Sequence, residues 1–218
     1  MNNKLSFVYL LFIIAPLFFA FRLPVGVDNE INAPASFVPS KPTEHEKYVI
    51  DKKESAVTWK GSMAFGTKHE HTGYVYASKG ELMIEKGKLV GGSVEIDMNT
   101  MEYSDKQHTN SPIMHLKSSD FFDVEKFPTA AFAITRVSGI SNDNVTITGN
   151  LTVKGITHAV MFPAIVELKG GVVNAVGRVV IDRTKWGIRY KSGKFYDNLA
   201  DETISDDIEL HMKVVARK

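Results

Sequence analysis

The sequence predicts an all-β fold with one short helical interruption. Three observations carry that reading. Apolar side chains recur at every second position along most of residues 47–217, turn-forming dipeptides punctuate these runs, and a single stretch, 111–127, departs from the pattern. A period of two sends successive side chains to opposite faces of a strand. Each run therefore reads as a strand with one face on an apolar interior and one in water.

In chain order, Val57 and Trp59 share a face within Ala56–Lys60, and Leu82 and Ile84 alternate with Glu81 and Glu85. Val94, Ile96 and Met98 alternate with Glu95, Asp97 and Asn99, and Phe132 and Ile134 share a face. Val145, Ile147, Gly149, Leu151 and Val153 alternate with Thr146, Thr148, Asn150 and Thr152. Ile208, Leu210, Met212 and Val214 do the same against Asp207, Glu209, His211 and Lys213. Turns are predicted at Lys86-Gly87, Gly91-Gly92, Ser141–Asn144 and Gly170-Gly171. Such short connections favour an antiparallel meander. Roughly eight strands with one apolar face must close into a barrel or pair into a sandwich. A closed barrel of about eight strands encloses space for one small ligand.

The exception, 111–127, offers Ser111-Pro112 as a helix start, with proline at the first helical position. His115-Leu116 and Phe121-Phe122 follow at helical spacing, with Ser118, Ser119 and Asp120 available as caps. This predicts a short helical segment near 112–123 lying across a barrel end and closed by Phe127-Pro128.

Ahead of the strands, Asn2-Asn3-Lys4 precedes an apolar run from Leu5 to Phe21, so residues 1–21 read as a secretory signal or an uncleaved N-terminal anchor. The expected location is periplasmic or secreted, with peripheral membrane contact as an option. Residues 22–46 hold Pro24, Pro34, Pro39 and Pro42 without periodicity and read as a linker. Residues 47–217 form one folded domain. The chain has 218 residues and no cysteine, which excludes a disulfide framework, a thiolate zinc site and a catalytic thiol. A net charge of +1 gives no footing for nucleic acid as a partner.

Four segments resemble the YceI-like family. They are Asp51, Ser55, Val57 and Trp59; His115–Asp123 with Phe127-Pro128 and Phe132; Gly149–His158; and Asp182–Ile188. The resemblance runs in order through most of the folded domain. It implies an extended eight-stranded antiparallel barrel of lipocalin-like shape, exported, enclosing an isoprenoid chain. In place of the charged residues that members often carry before the His-Leu pair stands Pro112-Ile113-Met114.

The function expected is therefore that of a lipid-binding protein, not an enzyme, holding an amphiphilic isoprenoid or quinone-like ligand and needing no other cofactor. Val57, Trp59, Ile96, Phe132, Ile134 and Leu151 are expected to line the interior, with Phe121 and Phe122 at its mouth or lid. The alternative is a structural or stress-related surface domain with a filled core and a protein partner. Metal binding comes third: His69 and His71 share a strand face, with His108 or His115 as further ligands, but no spacing fixes a site. Hydrolysis stands beside it, since Ser118, Ser119 and Asp120 flank His115, but no Gly-x-Ser-x-Gly elbow is present. Asp182-Arg183 reads as an ion pair and the carboxylates of 198–207 as a solvated loop.

Overall fold

The computed structural model describes residues 45–65, 70–104, 111–141 and 143–218. The leader and nearly all of the linker lie outside the described residues. The strands are β1 (Glu46–Ile50), β2 (Ala56–Ser62), β3 (Glu70–Glu85), β4 (Lys88–Tyr103), β5 (Thr129–Ser141), β6 (Asn144–Val153), β7 (Ile156–Lys169), β8 (Val172–Asp182) and β9 (Asp207–Arg217). One helix, α1 (Ser111–Lys117), joins β4 to β5, and 3-10 turns at Arg183–Trp186 and Ala200–Glu202 lie between β8 and β9.

From β2 onward each strand pairs antiparallel with the next, and β2 closes on β9. Both β1 and β2 sit between β3 and β9, β1 through Val49↔Glu81 and Ile50↔Ala216, β2 through Ala56↔Tyr76 and Ala56↔Lys213. They are two halves of one strand position, so the nine segments build a closed eight-stranded antiparallel barrel. Ser55 bridges the break. Its hydroxyl donates to the Val215 carbonyl at 3.1 Å and accepts from the Val215 amide at 2.9 Å, doing for that residue what a ladder partner would. Ser55 is 1% exposed, so neither backbone group could turn to water instead.

Three hairpins are closed by two-residue turns with both central residues at positive φ. These are Lys86-Gly87 (49° and 76°), Lys154-Gly155 (50° and 72°) and Gly170-Gly171 (59° and 74°). That is the turn whose twist matches paired strands. Gly91-Gly92 is not a turn, contrary to the sequence reading; it lies inside β4. A Cβ on Gly92 would sit 2.5 Å from the Glu81 carbonyl oxygen, so glycine there permits close approach of β3.

Strands β7 and β8 did not stand out in the sequence because several of their outward positions are apolar too. Met161, Ile165, Val176 and Val180 all face out and are exposed, which erases the polar half of the alternation.

The two barrel ends differ. The upper end, with the β3–β4 and β7–β8 hairpins, buries Ile84, Leu89, Val145, Val173 and Ala216, beside a polar pocket of about 110 Å³ that Lys88 and Asp143 share with Ile84, Leu89 and Val145. The lower end is covered by α1, the turns that follow it, and the first 3-10 turn with its buried Trp186.

Candidate functional site

Below the upper end the barrel is hollow and apolar. A middle chamber of about 120 Å³ and a lower chamber of about 260 Å³ lie along the axis, both lined almost wholly by apolar atoms. Val57, Ile96, Ala130, Leu151 and Leu210 line both, so the chambers abut at a common waist.

The structure places Phe132 and Ile134 on the middle chamber, Trp59, Phe121 and Phe122 on the lower one, and Val57, Ile96 and Leu151 at the waist. Large rings could have filled this space, and glycines keep them at the wall. A Cβ on Gly149 would lie 2.3 Å from Phe132 Cζ, one on Gly177 3.0 Å from Phe162 Cε2, and one on Gly73 2.4 Å from Trp59 Cζ2. Each ring thus lies where a neighbouring strand lacks a side chain. Phe132 and Phe162 meet with centroids 5.6 Å apart. Sequence reasoning missed Phe162, Val160 and Val179 because it missed β7 and β8. It missed Tyr103, which stands 5.8 Å from the Trp59 ring and whose hydroxyl lies 3.2 Å from His71 Nδ1, because Tyr103 ends a run without alternation.

The floor of the lower chamber is polar underneath. Arg183 is 1% exposed and donates to the carbonyls of Ile188 (2.9 Å), Ser205 (2.9 Å) and Ile204 (3.1 Å). Its guanidinium lies 3.4 Å from the Asp206 carboxylate and 6.0 Å from the Phe121 ring centre. Burial pushes the Arg183 guanidinium below its ordinary value, opposed by Asp206 and Asp182. The sequence reading of an Asp182–Arg183 ion pair is corrected. Asp182 caps the 3-10 turn through Thr184 and pairs with Lys194 at 2.8 Å, while Arg183 turns inward to Asp206. Asp206 is accordingly no solvated loop carboxylate.

A sequence profile of the YceI-like domain matches residues 48–216. The chain belongs to the YceI-like family. Among curated relatives, a UPF0312 protein of Shewanella denitrificans is 32% identical over 121 residues, and one of Azotobacter vinelandii is 33% identical over 124. These matches take in 54% of this chain and 60% of each relative, so the similarity spans less than two thirds of their length. Among solved structures, Burkholderia cenocepacia BcnA aligns with TM-score 0.60 at 19% identity, covering 77% of this chain and 99% of BcnA. A domain from Saccharophagus degradans described as polyisoprenoid-binding aligns with TM-score 0.57 at 12% identity, covering 78% and 97%. Both share the fold.

In this YceI-like chain, three of the four resembling segments interlock at the lower end. Lys154, in the β6–β7 turn, donates to the Phe121 carbonyl at 2.6 Å, and burial lowers its pKa. Trp186 Nε1 donates to the Leu151 carbonyl at 3.2 Å. His158 Nε2 meets the Lys185 carbonyl at 3.0 Å, and its ring stands edge-on to Trp186 at 5.1 Å. His115, Phe121 and Tyr190 form an aromatic cluster beside Arg183, with centroids 4.8–5.4 Å apart. Together these three segments build a cap over the lower end.

The hydrolytic alternative does not find its geometry among the described residues. Ser118 donates its hydroxyl to the His115 carbonyl at 2.7 Å, so it is turned away from the imidazole, which meets Asp120 at 3.1 Å. No group of three or more metal-ligating side chains converges among the described residues. His69 and His108 lie outside the described residues.

Proposed function

We propose that this YceI-like protein encloses the hydrocarbon chain of an isoprenoid or quinone-like amphiphile in its two chambers, for carriage or storage outside the cytoplasmic membrane. The observation that supports it most is the pair of abutting apolar chambers inside the barrel. An engineered apolar cavity of about 150 Å³ stays dry and takes up benzene. Chambers of about 120 and 260 Å³ offer more room of the same character. Together they reach the lower end of the ~300–1,000 Å³ range of ligand pockets. Each methylene moved from water into such a space contributes about 0.8 kcal/mol, so a branched hydrocarbon needs few polar contacts to be held.

The Saccharophagus domain described as polyisoprenoid-binding supports the ligand class. The apolar run from Leu5 to Phe21 supports export. Mass spectrometry of organic extracts from purified protein tests the first. A co-purifying isoprenoid lipid is the expected result, and extracts without lipid from a protein that also fails to take up an added isoprenoid would overturn it. Cell fractionation tests the second, since full-length protein confined to the cytosol would overturn it.

A further inference from the structure

The barrel wall has a window. The β7–β8 ladder ends at Ala164↔Gly177, although β7 continues down to Ile156 and β8 to Asp182. Below that rung β7 pairs only with β6, and β8 only with β9. Two strand edges thus face each other without a ladder in the side of the barrel.

The sequence explains the parting. Pro163 has no amide hydrogen to give a partner strand, and proline in a sheet is confined to such edges. Just above, the Phe162 ring occupies the space beside Gly177, where a Cβ would lie 3.0 Å from it. The window is bounded on both ends. The Ala164↔Gly177 rung closes it above, and His158, held against Lys185 and Trp186, closes it below.

Midway along the window the lining is apolar from outside to inside. Val160, Phe162 and Val179 point inward from the two edges and line the middle chamber. Met161 and Val180, outward residues midway along the same edges, are 65% and 50% exposed, and above them Arg178 is held by Glu209 on β9. Lone exposed strand edges are ordinarily guarded by charge or cover. Here the guards stand at the top, Pro163 and Arg178, and the rim below them at Met161 and Val180 is hydrocarbon. The axial routes are obstructed among the described residues, above by Ile84, Val173 and Ala216 and below by the cap around Trp186 and Ile188.

We propose that this parting between β7 and β8 is the side door through which an apolar chain enters and leaves the chambers. The proposal rests on the lipid-binding reading above. A hydrocarbon passing here exchanges water for the side chains of Met161 and Val180 and then for those of Val160 and Val179. The charged side chains of the β8 edge, Arg178 and Asp182, flank this path and are drawn aside to Glu209 and Lys194.

The absence of native cysteine makes a clean test possible. Counting on from the last rung sets Met161 opposite Val180, so Met161→Cys with Val180→Cys, joined by a short bismaleimide, stitches the window shut. Ile165→Cys with Val176→Cys, one rung inside the intact ladder, serves as the control stitch. Uptake of N-phenyl-1-naphthylamine, an apolar dye that brightens in dry surroundings, is followed by stopped flow before and after joining. Joining the window should slow uptake about tenfold or more while leaving the final signal intact. Joining the control pair should change nothing. A second variant, Met161→Lys with Val180→Glu, places an ion pair across the window and should slow uptake without any crosslink. Unchanged uptake in both the stitched and the ion-paired protein would overturn the door while leaving the lipid-binding reading in place. No dye signal in the unmodified protein would overturn both.

Discussion

The indole of Trp59 lies over the bare backbone of Gly73, its partner on the β2–β3 rung. A methyl group at Gly73 would fall 2.4 Å from Trp59 Cζ2 and 2.0 Å from the Glu102 carbonyl oxygen. The ring and the strand thus fit only because residue 73 has no side chain, and this fit holds Trp59 at the wall of the lower chamber.

Gly73→Ala should therefore destabilise the fold by at least about 2 kcal/mol, toward the upper part of the overpacking range, because one of the crowded atoms is backbone. It should also shift the tryptophan emission. Gly61→Ala on the neighbouring strand, where a Cβ meets nothing within 4 Å, is the control and should cost far less. Chemical denaturation of the two variants makes the comparison, and equal losses would contradict the packing described.

The chambers and the upper end of the barrel should respond oppositely to mutation. Leu151→Trp adds bulk at the waist shared by the chambers and should cost less than the ~1–3 kcal/mol of overpacking a tight core, while weakening apolar dye binding about tenfold. Ile84→Ala removes bulk from the upper end and should cost about 2–5 kcal/mol with dye affinity retained. Melting curves and dye titrations of both variants separate the effects.

Arg183 serves three carbonyls and one carboxylate from a fully buried position. Arg183→Met should cost about 3–5 kcal/mol, since it leaves the Ile188, Ile204 and Ser205 carbonyls without their donor and the buried Asp206 oxygen without its facing charge. Arg183→Lys should fail to rescue it, because one ammonium cannot replace a planar fork with donors on both sides. Denaturation midpoints near those of the wild type would show that the network contributes little.

The Asp182 carboxyl gives the fold an acid limit. Burial pushes its pKa up, but bonds from Lys194 and Thr184 outweigh this and hold it at about 2. A carboxylate whose folded pKa is depressed stabilises the fold above its unfolded value near about 4, and that contribution fades as the pH falls toward the folded value. Asp182→Asn keeps an acceptor for Thr184 and removes the charge facing Lys194. Its melting temperature should lie below that of the wild type at neutral pH and converge with it as the pH falls from about 4 to about 2. Parallel curves across that range would contradict the assignment. Glu209, held at about 2 by Arg178 and His211, adds to the wild-type slope in the same window.

What the sequence made legible was set by water. Where one strand face is wet, as in Val145–Val153 against Thr146–Thr152, alternation marks the strand and its inward side chains together. Where both faces are apolar, as in β7 with Met161 and Ile165 outside, the period vanishes, and with it Phe162 and the window. Pairing between charges was less legible still. Asp182 and Arg183 are adjacent in sequence, yet successive positions at a strand end point apart, so each found a partner about a dozen residues or more away in Lys194 and Asp206. Gly91-Gly92 misled for a related reason: glycine marks turns and close strand approaches alike, and only the neighbour decides which.

The bond from Ser55 to Val215 spans 160 residues of chain. The first strand position gains one neighbour soon, when β3 follows, but its other neighbour is β9, the last strand described. During synthesis the wall therefore stays an open sheet, with β2 and β8 as raw edges and the future interior exposed, until the C-terminal strand is available. Closing so long a loop is slow relative to forming the hairpins. A chain cut before β9 has every hairpin it needs and still no inside.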